Sequence, residues 1–216
     1  MREGLEKKNR ILGMTATWVS FSLLMIYIPV TILGILSLKS PQDPIADPYF
    51  SIMELLILLL VPFLVVSMVV VHTYAKPKDK VYSLIALIFM ILLAVITSSV
   101  HFVILTVSRQ IEAIGFSWAP LFFSFKWPSV AYTLDILAWD WFFALSMLFA
   151  AQVFNEDRLE KSLRTVMIVS GIISLIGLIG VPLANMNIRN IGILGYTIVA
   201  AIAFLMMGIV FQRHRT

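Results

Sequence analysis

The sequence contains no cysteine, only three histidines and few charged residues among its 216 positions. Without cysteine there can be no disulfide bond, no thiolate metal site and no cysteine nucleophile. Charged residues make up 13% of the chain, against about 25% in a typical soluble domain. The motifs H-E-x-x-H, G-x-S-x-G, Walker A and G-x-G-x-x-G are also missing. These absences exclude the commonest signatures of zinc proteases, serine hydrolases and nucleotide-binding proteins.

Apolar residues make up 60% of the chain and are gathered into six long stretches. A helix that crosses a bilayer needs about 20 residues, and each stretch reaches that length. Because backbone groups cannot stay unpaired in lipid, each stretch is expected to be helical. We therefore predict an all-α fold, a polytopic transmembrane bundle of six helices. It forms a single transmembrane domain over 1–216, with helices at about 11–37, 50–74, 81–107, 129–154, 163–184 and 190–211.

Lysine and arginine are unequally shared between the two ends of this bundle. Of the 16 basic residues, twelve fall on the side of the N-terminus and four (Lys39, Arg109, Lys126 and Arg189) fall on the other. The positive-inside rule then places both termini in the cytoplasm and predicts a multi-pass protein of the plasma membrane. The first apolar stretch exceeds the about 7–15 residues of a signal-peptide core, so we expect it to remain as the first helix.

Four ionisable side chains lie inside the apolar stretches: Glu54, His101, Asp135 and Asp140. A charge at the centre of a membrane helix costs roughly 2.5–3.5 kcal/mol on insertion scales, so each is a functional hypothesis. With a rise of about 1.5 Å per residue, all four fall in the outer half of the membrane, and Asp140 is the deepest. Arg109 lies just above them. These five are our candidate pocket residues, with Asp140 and His101 as the first choices.

The spacing of the two aspartates limits what they can do together. Asp135 and Asp140 are five positions apart, which is about 140° around an α-helix. We therefore expect at most one of them to face a given partner directly, although the interior of a bundle could receive both. The second, third and fourth helices are expected to form the walls of an outward-facing polar pocket.

The segment 115–128, between the third and fourth helices, is rich in phenylalanine and tryptophan. Such residues favour the membrane interface. The segment is interpreted either as an aromatic belt that anchors the protein or as a lid over an outward-facing cavity. In the fifth helix, Ser170, Ser174, Gly177 and Gly180 predict close packing against a neighbouring helix.

Three functional interpretations stay open. The buried charges could form a structural ion-pair network that fixes helix register. They could line a pocket that binds or transports a small polar or amphipathic solute. They could also belong to a membrane-embedded enzyme acting on a lipid, with or without a metal. Zinc hydrolases supply two or three histidines, whereas only His101 lies within a span, which weighs against the metal.

We place the binding or transport of a small solute first and keep the enzyme and the structural protein as alternatives. No catalytic residue, metal ligand or cofactor is assigned. The expected partners are the lipid bilayer and a small solute or lipid, and the sequence sets no oligomeric state. Nucleic acid is not expected, because the basic residues sit at helix ends and do not follow one face.

Three sequence features carry a resemblance to a known group of proteins. Arg10-Ile-Leu-Gly13 opens the first helix, 140–149 in the fourth helix precedes a short basic turn, and 163–171 opens the fifth helix. In this layout the chain resembles the small uncharacterised six-span membrane proteins of bacteria and archaea, grouped as domains of unknown function. The resemblance implies a six-helix membrane bundle and carries over no catalytic residue.

Overall fold

The computed structural model describes residues 6–38 and 45–213, and this part of the chain is helical with no strand. Six of its seven helices are long and apolar enough to cross a membrane, whereas α4 is a short connecting helix. The prediction of an all-α bundle of six long helices is confirmed. The helices are α1 Lys7–Leu36, α2 Tyr49–Tyr74, α3 Pro77–Ile111, α4 Ala119–Phe123, α5 Val130–Val153, α6 Arg158–Ile179 and α7 Met186–Arg213.

Polar side chains cap the first turns of the last three helices. The Ser129 hydroxyl oxygen accepts the backbone N–H of Tyr132 at 3.1 Å, and the Asp157 carboxylate accepts that of Glu160 at 2.8 Å. The Asn185 side chain accepts two backbone N–H groups at the start of α7, at 3.1 and 3.3 Å. These bonds satisfy donors that a helix start leaves free. They begin α7 at Met186, four residues before the predicted start at 190.

The six long helices form a closed ring in chain order. Each packs against its neighbour in the sequence, α3 packs against α5, and α7 packs back against α1. The backbones of α6 and α7 approach each other closely, since a Cβ atom built on Gly177 would lie 2.8 Å from the Cα of Gly192. The Ser170 hydroxyl donates to the backbone carbonyl of Gly195 at 2.8 Å across the same contact. This confirms the close packing predicted from the small residues of the fifth spanning helix, which is α6 in the structure.

The two ends of the ring differ in how they are filled. The terminal end, where α1 begins and α7 finishes, has a packed interior with fully buried Met68, Phe143, Met147, Phe204 and Phe211. At the opposite end, which we call the cavity end, the interior is hollow. The outer face of every long helix exposes large apolar side chains, as a surface that meets lipid requires. Examples, one from each helix in order, are Ile26, Leu59, Val95, Trp141, Ile172 and Ile202.

A buried carboxylate ties the terminal end together. Glu160 accepts the hydroxyl of Tyr74 and the backbone N–H groups of Asn155 and Glu156, the last two both at 2.9 Å. The Tyr74 ring in turn stacks on Phe154 with ring centroids 5.7 Å apart. This arrangement fixes the α5–α6 turn against α2 and closes the bundle on that side.

Candidate solute-binding site

The hollow end of the ring encloses a cavity of about 650 Å³. This volume falls in the usual range for small-molecule sites, about 300–1,000 Å³. Its walls come from the long helices α1, α2, α3, α5 and α7 and from the short helix α4, so two further long helices join the three expected from the sequence. The inner end of the cavity reaches Trp139 and Tyr196, whose rings lie 5.3 Å apart and continue into the packed core. Most of the wall is aromatic or aliphatic, including Leu24, Tyr27, Phe50, Ile57, Ile104, Phe123, Phe125 and Ile193.

His101 lies between two carboxylates that line this cavity. Its Nδ1 is 2.7 Å from Oε2 of Glu54, and its Nε2 is 3.3 Å from Oδ1 of Asp135. All three residues are buried, with 3%, 4% and 8% of Glu54, His101 and Asp135 exposed. Three different helices, α2, α3 and α5, supply them. Three of the candidate residues, which the sequence could only place at similar depths, therefore form one buried row with His101 in the middle.

Arg189 on α7 completes the buried group. Its Nη2 lies 3.3 Å from Oδ2 of Asp140 and 4.0 Å from Oδ2 of Asp135. Its Nη1 donates to the hydroxyl of Tyr132 at 3.1 Å, and its guanidinium carbon lies 4.9 Å from the centre of the same ring. Asp140 is fully buried and lies outside the cavity lining, behind Arg189. Asp140 is therefore the anchor of the arginine, whereas Glu54, His101 and Asp135 face the cavity.

Asp135 and Asp140 both lie in the bundle interior, where Asp140 pairs with Arg189 and Asp135 faces His101 but also lies 4.0 Å from Arg189. Both approach Arg189 because Leu137–Phe143 forms a wide π-helical turn in α5. Such a turn bonds residue i to residue i+5, and the extra residue rotates Asp140 back toward the face of Asp135. Similar turns lie beside the site in α3 at Ile104–Ser108 and in α7 at Gly195–Val199. Turns of this kind are frequent at functional sites.

Arg189 is the residue that the sequence analysis missed. It was counted among the basic residues of the outer side, just before a helix expected to start at 190. In the structure it lies in the first turn of α7 and is 2% exposed. One sequence signal pointed to it: three acidic residues within spans need cations, and few cations are close to them.

Arg109, the fifth candidate pocket residue, lines the mouth of the cavity. It pairs there with Asp47, with Nη2 3.2 Å from Oδ2. Its guanidinium also donates to the Ser51 hydroxyl at 2.5 Å. Hydrogen bonds from Ser51 and the charge of Arg109 hold the pKa of Asp47 below its ordinary value. Arg109 thus joins α3 to the start of α2 at the mouth and stays out of the buried group.

The aromatic segment 115–128 has two faces. Phe125 covers the buried histidine, with its ring centre 5.3 Å from that of His101. It also meets Phe50 and Tyr132, at 6.0 and 6.1 Å. On the other face, Phe116, Trp118 and Phe122 are exposed and contact one another. One face therefore roofs the cavity, and the other has the composition of an interfacial belt.

The chain matches no protein-family model, no curated protein and no solved structure.

Oδ1 of Asp140 and Nε of Arg189 are buried and lack a hydrogen-bond partner within the described residues. Nε2 of His101 and Oδ1 of Asp135 face each other at 3.3 Å. In the part of the chain that the structure describes, no set of three His, Asp or Glu side chains is arranged to hold a metal ion. The reason is visible at His101, whose two ring nitrogens point at carboxylates on opposite sides. The arrangement is instead suited to hydrogen bonding and to electrostatic recognition in an apolar chamber.

Proposed function

We propose that this chain is a multi-pass plasma-membrane protein, with both termini in the cytoplasm, that binds or transports a small amphipathic solute. The solute occupies the cavity, which faces the outside. One observation supports the orientation: among the described residues, the terminal end carries ten lysines and arginines and the cavity end carries three. The single observation that carries the function is that Glu54, His101 and Asp135, all buried, line a cavity of about 650 Å³.

A purely structural network accounts for only part of this group. Arg189 and Asp140 fit that role, because they are buried, paired and anchored to Tyr132. The histidine side differs, because Glu54, His101 and Asp135 line the cavity, whereas Asp140 lies outside its lining. Polar groups placed in the wall of a mostly apolar chamber are typical of small-molecule sites. The position of these three residues therefore supports a role in holding a ligand.

A second candidate function, an enzyme acting on a lipid, has one observation in its favour. His101 contacts a carboxylate at each ring nitrogen inside an apolar chamber, which is an arrangement suited to proton transfer. The metal-dependent version has no such support, because the carboxylates do not converge on one point with the histidine. Turnover of a lipid by the purified chain, lost in His101→Gln, would favour this function over simple binding.

The cavity hypothesis can be tested with a matched pair of tryptophan substitutions on α2. Met53 lines the cavity, whereas Leu55 is 52% exposed on the outer face. The thermal unfolding midpoint of the full chain in micelles is measured against a panel of cationic, anionic, zwitterionic and neutral amphiphiles. We expect at least one compound to stabilise the wild type and Leu55→Trp but not Met53→Trp. Equal stabilisation of both variants, or no stabilisation of the wild type, would contradict the proposal.

A further inference from the structure

The charges at the inner end of the cavity do not balance. Three carboxylates meet one guanidinium and one imidazole there: Glu54, Asp135 and Asp140 against Arg189 and His101. Arg189 and Asp140 neutralise each other as a pair. What remains facing the cavity is His101 with the carboxylates of Glu54 and Asp135.

The contact geometry sets the number of protons that the two contacts of this trio need. Each ring nitrogen of His101 faces a carboxylate oxygen, at 2.7 and 3.3 Å. Each of these two gaps needs a proton, because two lone pairs facing each other would repel. With one proton in each gap the trio carries one net negative charge, whether a proton sits on the ring or on a carboxyl group. A buried charge without a partner is costly, so the site favours a cation.

The rim of the cavity does not supply that cation. Arg109 is engaged by Asp47 at the mouth. Lys126 lines the mouth as an exposed residue, and an ammonium group in water gains little by entering an apolar chamber. Arg189 is held by Asp140 and Tyr132. The negative charge is therefore left for a ligand.

The walls indicate what kind of cation fits. Tyr27, Phe50, Phe125, Trp139 and Tyr196 line the chamber around the carboxylates. Aromatic faces attract cations, most strongly where water is excluded. The site already uses this interaction, since Arg189 lies over the ring of Tyr132. The aliphatic residues between the rings need an apolar body to cover them.

We propose that the cavity takes an organic cation with an apolar body, in which an ammonium or phosphonium centre lies beside Glu54 and Asp135 among the aromatic rings. This inference rests on the proposed function and names its ligand class. The same chemistry has two sources, a free organic cation or the cationic headgroup of a lipid. The two share the charged centre and differ in the chain attached to it.

The test uses two probes of the same size and shape and of opposite charge. Equilibrium binding of tetraphenylphosphonium and of tetraphenylborate is measured by titration calorimetry with the full chain in a neutral detergent. We expect saturable binding of the cation alone, weakened roughly tenfold in Glu54→Gln and in Asp135→Asn. The control is Glu156→Gln, which changes an exposed carboxylate paired with Lys76 at the terminal end and is expected to leave binding unchanged. Unfolding midpoints identify any variant that fails to fold.

The outcomes separate the ligand class from the cavity hypothesis. Binding of tetraphenylborate as tight as that of the cation, or no binding of the cation, would overturn the proposed class. If Met53→Trp still abolishes stabilisation by a neutral or anionic compound in that case, the cavity hypothesis survives. Competition of lysophosphatidylcholine with tetraphenylphosphonium would indicate a lipid headgroup as the ligand. Binding of tetraphenylphosphonium without such competition would indicate a free cation.

Discussion

The guanidinium of Arg189 lies 3.3 Å from the carboxylate of Asp140, and the two side chains are 3% and 0% exposed. They join α7 to α5 beneath the inner end of the cavity. Removing one member of a buried ion pair costs about 3–5 kcal/mol, because the other charge stays buried without compensation. The pair therefore holds in place the two helices that carry Asp135 and Tyr132 on one side and Tyr196 on the other.

The first prediction concerns Asp140, which the sequence favoured as a ligand-binding residue. We expect Asp140→Asn to lower the free energy of unfolding by about 3 kcal/mol, at the lower end of that range because Asp135 lies 4.0 Å from Arg189. Denaturant unfolding in micelles measures this, with Glu156→Gln as the control for an exposed pair worth about 0–1 kcal/mol. A stability within about 1 kcal/mol of the wild type would contradict the anchoring role.

The number and type of helices could be predicted because lipid imposes a simple rule. A spanning segment must be long, apolar and internally hydrogen-bonded, and each of these properties is visible in sequence. The ends of the helices were predicted less accurately than their number. The helix predicted at 81–107 spans Pro77–Ile111 in the structure. It begins earlier because a short 3₁₀ turn at Pro77–Asp79 opens it, and it ends later because it continues through a π-helical turn at Ile104–Ser108. Neither feature has a hydropathy signal.

The composition of the site was only partly predictable. Glu54, His101 and Asp135 were found because charges inside apolar stretches are rare and visible. Arg189 was missed because its Cα lies near the start of α7, while its long side chain extends into the interior. The shared orientation of Asp135 and Asp140 was missed because it depends on backbone hydrogen bonding and not on residue type. The order of the helices around the ring could not be predicted, because it depends on how the helices pack in three dimensions.

The second prediction concerns the glycines that surround Asp140. A Cβ atom on Gly192 would collide with Oδ1 of Asp140 and would lie 3.2 Å from the Cα of Gly177. We expect Gly192→Ala to destabilise the chain by about 1–3 kcal/mol through overpacking. A double-mutant cycle with Asp140→Ala, followed by unfolding in micelles, should show a smaller cost in the variant background, with a coupling of at least about 0.5 kcal/mol. If the costs of the two substitutions were additive, the clash created by Gly192→Ala would not be with Asp140.

The third prediction concerns the roof of the cavity. Phe125 covers His101, whereas Phe122 on the same segment is 43% exposed and lies outside the lining. A cysteine placed at Met53 reports access to the chamber, because the chain has no other thiol. We expect Phe125→Ala to accelerate its modification by a small methanethiosulfonate several-fold, and Phe122→Ala to leave the rate unchanged. Equal rates in the two variants would show that Phe125 does not limit access.

The fourth prediction concerns the direction in which the cavity faces. The terminal end is rich in lysine and arginine, and the positive-inside rule assigns it to the cytoplasm. Lys126 lies exposed at the mouth of the cavity, and Lys78 lies exposed in the turn between α2 and α3 at the terminal end. Single cysteines at these positions can be labelled on intact cells with an impermeant maleimide, against a background free of native thiols.

We expect Lys126→Cys to be labelled on intact cells and Lys78→Cys to be labelled only after permeabilisation. The expected difference follows from topology alone, because both side chains are exposed in the structure. The opposite pattern would place the cavity on the cytoplasmic side. Any solute would then enter from the cell interior, so the compounds to test for Glu54 and Asp135 would be cytoplasmic cations and inner-leaflet lipids. The labelling result therefore decides which compartment supplies the ligand.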